Sequence, residues 1–321
     1  MKGGQHEKGT RTMTREAQAG AQAGAVRDIH DFWNANPCGE HQIGAPQGDL
    51  EAFFDQYDAF RYGREPHILR QISSLDFEGK RVLEVGLGLG SDSEQIIRRG
   101  AAWSGIDLTP ASVERVRQRL ALRGLPYEDA RCASALSIPY PDDSFDMVFS
   151  HGVLHHIPEV SSAQREIARV LKPGGRLVAM VYAKRSLNYL LSIAVLRRLG
   201  LAACFVTGLA PFAKIAAHID NARITGLLGY LRMRNFIHRN TDGPGNPYSK
   251  VYNLKELGTD FPDFRIVGSR QVWMHAPPLP VGLLEPLSGM LGWHLWVQMT
   301  PVKAAGAKAA GAKAAGAKAA A

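Results

Sequence analysis

Cysteine is scarce in this chain of 321 residues, which contains only Cys38, Cys132 and Cys204. An odd number of widely spaced cysteines excludes a disulfide framework and a zinc ribbon, and it fits a reducing compartment. The first thirty residues lack the apolar stretch of a secretory signal, so we expect a cytoplasmic protein. The uncharged stretch 199–213 is shorter than the roughly 20 residues that a membrane span needs.

Charge of one sign is also lacking in the body of the chain. The net charge is +8, but the tail after residue 302 contributes four lysines and no acid, and residues 1–29 carry +2. The remainder is nearly neutral, so we expect no specific nucleic-acid surface. The lysine-rich tail predicts at most a weak contact with a membrane surface or another polyanion.

Apolar runs that resemble strands alternate with helical segments in the middle of the chain. Strands are predicted over 82–85, 103–107, 145–150 and 176–182, and helices over 91–99, from 110 onward and over 161–172. Ser91 and Glu94 predict a capping box at the start of the first of these helices. The alternation predicts an α/β fold: a doubly wound, Rossmann-like, mostly parallel sheet with helices on both faces.

A glycine-rich loop follows the first predicted strand, in the sequence V-L-E-V-G-L-G-L-G-S at 82–91. Glycines allow the backbone to approach a ligand closely, and the helix start offers free N–H groups. Asp107 ends the next strand, where a carboxylate can accept hydrogen bonds from the hydroxyls of a ribose. Nicotinamide enzymes use similar features, so these residues indicate a nucleoside without saying which one.

The order of five motifs resembles the class I S-adenosylmethionine-dependent methyltransferases, in particular their UbiE-like small-molecule branch. The motifs are E-V-G-L-G-L-G at 84–90, G-I-D-L-T at 105–109, I-P-Y-P-D-D-S-F-D at 138–146, S-H-G-V-L-H-H-I at 150–157 and R-V-L-K-P-G-G at 169–175. The resemblance covers residues 57–183. It implies S-adenosyl-L-methionine as cofactor and methyl transfer as the activity.

The resemblance also implies roles for particular residues. Those expected around the cofactor are Gly86, Gly88 and Gly90 along its methionine part, Glu84 orienting that loop, Asp107 at the ribose, Leu108, Ser134 and Ala135 at the adenine, and His151 and Tyr62 near the methionyl group and the roof of the site. Many relatives carry Asp where this chain has Ser134, whose hydroxyl accepts hydrogen bonds more weakly than a carboxylate.

Methyl transfer needs a general base only if the acceptor loses a proton near the transition state. His151 and His155 are the candidates for that role, and packing of the loop is the alternative for His155 and His156. Cys132 is predicted to be a buried thiol, and no metal site is predicted. A nicotinamide-dependent oxidoreductase and a non-catalytic S-adenosylmethionine-binding protein stay open as alternatives.

The chain then divides into six predicted regions. They are a disordered extension (1–29), a helical cap (30–80), the S-adenosylmethionine-binding core (81–183), a helical insertion or substrate lid (184–262), a final strand pair (263–302) and a low-complexity Lys/Ala/Gly tail (303–321). The insertion is the most apolar region, and it reads as a buried helix, a lid or an interfacial helix. We therefore expect a small, hydrophobic acceptor.

Overall fold

The computed structural model describes residues 15–37, 43–44 and 48–302, with side chains from residue 24 onward. Its strands are β1 (Arg81–Val85), β2 (Ala102–Asp107), β3 (Asp129–Cys132), β4 (Phe145–His151), β5 (Leu171–Tyr182), β6 (Phe264–Val272) and β7 (His294–Pro301). They form one sheet in the order β3-β2-β1-β4-β5-β7-β6. The first five strands pair in parallel, and β7 runs antiparallel to β5 and β6. The predicted doubly wound, mostly parallel fold is confirmed.

Helices lie before, between and after these strands. In the N-terminal part and between the parallel strands they are α1 (Arg15–Ala35), α2 (Leu50–Arg64), α3 (His67–Ser73), α4 (Ser91–Ile97), α5 (Pro110–Leu122) and α6 (Val160–Val170). Beyond β5 there follow a π-helical segment (Asn188–Arg197), α7 (Arg198–Thr207), α8 (Ala213–Thr225), α9 (Leu227–Tyr230), α10 (Met233–Phe236), α11 (His238–Thr241), α12 (Leu254–Asp260) and α13 (Ser288–Leu291). Short 3₁₀ turns occur at Leu154–His156 and Gly282–Leu287.

The strand order reverses between β1 and β4, which are neighbours in the sheet although β2 and β3 separate them in the chain. Parallel strands on either side of such a switch point send their connections to opposite faces, so a crevice opens at their carboxyl ends. Leu83 and Val148 pair across this junction and are fully buried. The local fold therefore places the ends of β1, β2 and β4 around one cleft.

The N-terminal extension differs from the prediction. Residues 15–29 belong to the helix α1 rather than to a disordered segment, so that part of the prediction is wrong. The physical reason is tertiary: Val26, Ile29 and Trp33 lie on one side of the helix and face the cleft, with Ile29 buried. Residues 1–14, Cys38 and the tail 303–321 lie outside the described residues.

The predicted capping box of α4 is also wrong. The N-cap residue is Gly90, with a left-handed φ of 80° and no side-chain cap. The Ser91 hydroxyl instead donates to Asp58 Oδ1 over 2.5 Å. Glu94 accepts a hydrogen bond from the fully buried Arg119 at 2.8 Å. These side chains tie α2 and α5 to the glycine loop rather than terminating a helix.

The region after β5, which we call the lid (residues 184–262), has a hydrophobic core of its own. Its buried members include Ile193, Leu201, Ile219, Tyr230 and Phe236. Among the described residues, one helical stretch (Asn188–Thr207) is long and apolar enough to cross a membrane by length and composition, and only 17 % of its most apolar window is buried. The lid therefore combines an inner packed side with a largely uncovered outer one.

Candidate active site

A cleft lies at the carboxyl ends of β1, β2 and β4, with α1 and α2 along its rim. The sheet and its loops contribute Glu84, Gly86, Gly88, Asp107, Leu108, Ser134, Ala135, His151 and Gly152 to its lining, and the helices contribute Val26, Ile29, Trp33, Tyr57 and Arg61. Most of the residues that the sequence assigned to a cofactor are therefore neighbours around one space.

The glycine loop leaves room in this cleft that side chains would fill. Gly86, Gly88 and Gly90 all have positive φ, a backbone conformation that glycine adopts without steric cost. A Cβ at Gly86 would lie 2.1 Å from Cγ2 of Val153, and one at Gly90 would lie 3.0 Å from Val116. This loop, here called the cradle, thus depends on glycine. Gly86 and Gly88 line the cleft, whereas Gly90, predicted beside the methionine part of the cofactor, packs against Val116 and is not in the lining.

Asp107 holds this cradle in place. Its Oδ2 accepts a hydrogen bond from the Leu87 amide at 2.7 Å, and its Oδ1 accepts from the amide and the hydroxyl of Thr109, each at 2.8 Å. Burial raises the pKa of Asp107, while the hydrogen bonds from Thr109 and Leu87 lower it. A carboxylate has about four lone-pair positions, so three protein donors leave little capacity for the two ribose hydroxyls. Asp107 clamps the loop as well as facing the cleft.

Leu108, Ser134 and Ala135, for which the resemblance predicts contact with the adenine, all line the cleft. The Ser134 hydroxyl accepts a hydrogen bond from the Leu136 amide at 3.1 Å, so it also shapes its own turn. Cys132 is exposed, which corrects the prediction of a buried thiol. It ends β3, the edge strand of the sheet, and pairs with Asp107 of β2 on one side.

Glu84 lies in the floor of the cleft and is almost fully buried. The Trp103 indole donates a hydrogen bond to its Oε2 at 2.8 Å. Burial, reinforced by the nearby Asp92 carboxylate, raises the pKa of Glu84 to about 8. A neutral acid at this position is ready to ionise when a positively charged group enters the cleft.

His151 is the titratable side chain of the cleft with the most specific partner. Its Nδ1 lies 2.6 Å from Oδ2 of Asp92, and Arg61 donates to the same oxygen at 2.8 Å. Burial raises the pKa of Asp92, but Arg61 and His151 outweigh that effect and hold it below its usual range. Arg61 also lies 3.0 Å from Nδ1 of His151, so this nitrogen is engaged by both Asp92 and Arg61. Nε2 is the ring nitrogen that these contacts leave for another partner.

Tyr62 and His155 occupy less direct positions than predicted. The Tyr62 hydroxyl lies 3.4 Å from Oδ1 of Asp92, behind the cleft lining. His155 is fully buried, with its ring centroid 4.0 Å from that of Tyr182, and it is not among the residues that line the cleft. Burial lowers the pKa of His155 well below its ordinary value. The structure brings His151 to the cleft but not His155.

Three residues of the site were missed in the sequence. Asp92, Arg61 and Tyr57 all line the cleft. Asp92 lies two positions after Gly90, inside the segment that was predicted to form a capping box. Arg61 directly precedes Tyr62, which was predicted to lie near the cofactor. An acid directly after the last glycine was the available signal, but only the tertiary structure shows that Arg61 and His151 converge on it.

A group of possible metal ligands lies beside the cleft. Glu65, His151 and His294 each offer one ligand atom, and these atoms lie within 4.8 Å of one another. His294 Nδ1 is 3.9 Å from Glu65 Oε2 and 3.0 Å from His67 Nε2. Zinc bonds to nitrogen of about 2.0–2.1 Å would require a tighter arrangement, so we assign no metal to this group.

Comparison with known proteins identifies the class of this domain. Residues 83–179 match the family model described as a methyltransferase domain. The match contains the glycine loop, Asp107, Ser134 and His151. Residues 83–179 are thus a methyltransferase domain, for which S-adenosylmethionine is the implied cofactor, and Gly86 and Gly88 line the cleft in which it would lie.

Individual relatives agree over the same segment. The chain is 33 % identical over 125 residues to the malonyl-[acyl-carrier protein] O-methyltransferase of Halorhodospira halophila, covering 38 % of this chain and 42 % of that protein. It is 38 % identical over 105 residues to the fatty-acid O-methyltransferase of Mycolicibacterium smegmatis, covering 32 % and 37 %. The chain thus spans about two fifths of the length of these relatives. A solved S-adenosylmethionine-dependent methyltransferase from Mesorhizobium loti shares 18 % identity and aligns over 74 % of this chain and 97 % of its own, with a TM-score of 0.47.

Proposed function

We propose that this protein transfers a methyl group from S-adenosylmethionine to a hydroxyl oxygen of a small, apolar organic acceptor. The observation that carries the proposal is the His151–Asp92 pair, which lies in the same cleft as the glycine loop. The names of these two relatives describe O-methyltransferases, one of them acting on fatty acids. These names support an oxygen acceptor and an apolar one.

The cofactor, when bound, supplies an electrophilic methyl carbon and a neutral thioether leaving group. Gly86, Gly88, Asp107, Leu108 and Ser134 would hold it. The task of the protein is then to align the acceptor and to remove its proton. Nε2 of His151 accepts that proton, and Asp92 stabilises the resulting imidazolium while Arg61 keeps Asp92 ionised.

Aromatic rings lie behind His151. The ring of His151 lies 4.8 Å from that of Trp296, and Tyr182 stacks on Trp293 at 4.4 Å. Trp273 and the buried His294 lie 4.4 Å apart in the same layer. Burial lowers the pKa of His294 well below its usual value, so this ring is neutral. The rings of Trp296, Trp293 and His294 are buried behind the cleft lining, so they give His151 an apolar surrounding.

We test this function with a panel of apolar alcohols and phenols, following cofactor consumption and the mass of the product. His151→Gln removes the base and should lower kcat at least a hundredfold, whereas binding of S-adenosylhomocysteine should change less than tenfold. His218→Gln is the matched control, because His218 lies in the lid, bonded to Tyr230, and does not line the cleft. Full turnover by His151→Gln would contradict the proposed base.

The same assay separates the two alternative functions. Cofactor binding without turnover of any acceptor would favour a non-catalytic S-adenosylmethionine-binding protein. Tight binding of a nicotinamide nucleotide in place of S-adenosylhomocysteine would favour an oxidoreductase, against which the family match argues. We further propose a cytoplasmic location, no specific nucleic-acid partner, and only weak contact of the lysine-rich tail with membranes or other polyanions.

A further inference from the structure

The turn between α7 and α8 forms an apolar tip on the lid. Residues 199–213 contain no charged side chain. Helix α7 ends at Thr207 and is capped by Gly208, which has a left-handed φ of 72°. Helix α8 begins at Ala213. Between the helices, the side chains of Leu209 and Phe212 are 65 % and 72 % exposed. Two large apolar side chains therefore project from a tight turn into solvent.

The exposure continues along the helices next to the tip. Val206 is 79 % exposed and Ile224 is 83 % exposed, although Leu201 and Ile219 on the same two helices are buried in the lid core. A helix that is apolar on both its inner and its outer side is expected to contact a second apolar partner with the outer side. We define the tip as residues 206–212. It forms the end of this exposed apolar surface.

The charge of the lid indicates what this environment is. Residues 184–239 contain nine lysines and arginines and a single acid, Asp220. Asp220 is already paired with Arg223 at 3.0 Å. Lys214, one residue into α8, and Arg232 are exposed. The apolar tip is thus accompanied by a cationic surface, which is complementary to the anionic headgroups of a phospholipid bilayer.

The contacts of Arg197 argue against insertion of the stretch Asn188–Thr207 across a membrane. Arg197 lies in the middle of the apolar stretch Asn188–Thr207 and donates hydrogen bonds to the carbonyl oxygens of Asn240 at 2.7 Å and Pro277 at 3.1 Å. These bonds fasten the stretch to the protein body. Withdrawing it into a bilayer would break them and place the guanidinium in hydrocarbon.

We propose that the tip inserts Leu209 and Phe212 into the interfacial region of an anionic bilayer, with the exposed cations Lys214 and Arg232 contacting lipid headgroups. This docking does not depend on the proposed methyl transfer. It would hold the lid at the surface of the lipid bilayer, in which apolar molecules dissolve.

The test measures co-sedimentation of the full chain with vesicles in the absence of cofactor. One set of vesicles is pure phosphatidylcholine, and the other contains phosphatidylglycerol. We expect at least tenfold tighter binding to the anionic vesicles at low salt. Replacing both tip residues (Leu209→Glu and Phe212→Glu) should weaken that binding at least tenfold. Leu283→Glu is the matched control, because Leu283 is 96 % exposed but lies outside the lid, and it should bind like the wild type.

The double variant keeps the lysine-rich tail, so its loss of binding isolates the tip from the tail. An unchanged thermal melt confirms that the variant is folded, since both positions are exposed. Failure of the wild type to sediment, or equal binding by the double variant, would overturn the proposal. So would a wild-type dimer, in the absence of vesicles, that becomes monomeric in the double variant, because the tip would then cover a second copy of the chain.

Discussion

The cofactor-binding core and the lid treat polar and apolar side chains in opposite ways. The core buries charged groups such as Arg119 and Asp92 and supplies each with close partners. The lid buries Ile193 but leaves Phe212 and Ile224 largely exposed. The family model covers the core and ends at residue 179, before the lid begins. The comparison teaches that the core is organised around the cofactor cleft, whereas the lid exposes apolar side chains to solvent.

Gly86→Ala tests the cradle of the core and should have the largest effect. The new Cβ would lie 2.1 Å from Cγ2 of Val153, a branched side chain that cannot move away freely. We expect binding of S-adenosylhomocysteine, measured by calorimetry, to weaken about a thousandfold, or about 4 kcal/mol. Gly174→Ala is the control, because Gly174 has a similar φ of 79° and open space around it. Adding Val153→Ala to the Gly86 variant should restore part of the affinity, and its failure to do so would contradict the steric explanation.

Ile193→Ala should instead damage the lid without affecting the cofactor. Ile193 is fully buried in the lid core, so the cavity should destabilise the lid by about 2–4 kcal/mol. Hydrogen exchange across 188–236 should become faster, while cofactor affinity stays within twofold. The exposed Leu199, changed to Ala, should leave exchange unaltered. A parallel loss of cofactor binding in Ile193→Ala would break the separation between the two regions.

Asp107→Ala should weaken cofactor binding at least tenfold and also lower stability. The change leaves the amides of Leu87 and Thr109 without their acceptor, at about 1–3 kcal/mol. Asp146→Ala is matched to it, because Asp146 accepts from the Arg81 amide at 2.9 Å and from Lys172 at 2.7 Å, outside the cleft lining. Chemical denaturation and calorimetry should show lost stability in both variants, but lost affinity in Asp107→Ala alone. Unchanged affinity would place the nucleoside elsewhere.

Glu84→Gln should change how stability depends on pH. The folded-state pKa of Glu84 is raised from 4.5 to about 8, so its contribution is fully present below pH 4.5 and is lost as the pH rises toward 8. The variant should therefore show a smaller decline in stability across this range, by about 1.4 kcal/mol for each unit by which the folded-state pKa is raised. Its amide oxygen still accepts the Trp103 hydrogen bond. The exposed Glu128→Gln should follow the wild-type curve, and an unaltered slope in Glu84→Gln would mean that Glu84 is ionised in the folded protein.

Much of the core could be predicted because its signals are local. Glycines at 86, 88 and 90 recur every second residue after an apolar run, and Asp107 closes the next run. Pairings such as Arg61 with Asp92 join residues 31 positions apart, and their contact depends on how α2 docks on the sheet. The same is true of α1, in which alanines favour helix and Gly20 and Gly24 oppose it, and whose docking of Val26, Ile29 and Trp33 at the cleft is a tertiary contact.

The lid shows the limit of composition more sharply. Summing charge over the whole body produced a nearly neutral value, because acids elsewhere balance the nine lysines and arginines of residues 184–239. The local sequence showed that the lid is apolar but did not determine which of its residues are buried. The sequence of an apolar helix looks the same whether the helix lies in a core or at an interface. Burial of Leu201 and exposure of Val206 on one helix are decided by contacts with other helices.

By itself, the sequence determined the order of strands and helices in the core and the glycine loop that indicates a nucleoside-binding site. These depend on backbone preferences and on periodicities within a few residues. Only the tertiary structure decided that Asp92 orients His151, that His155 is withdrawn from the cleft, and that Leu209 and Phe212 face solvent. Such relations arise between side chains distant in sequence, whose distances are set by packing and not by local pattern.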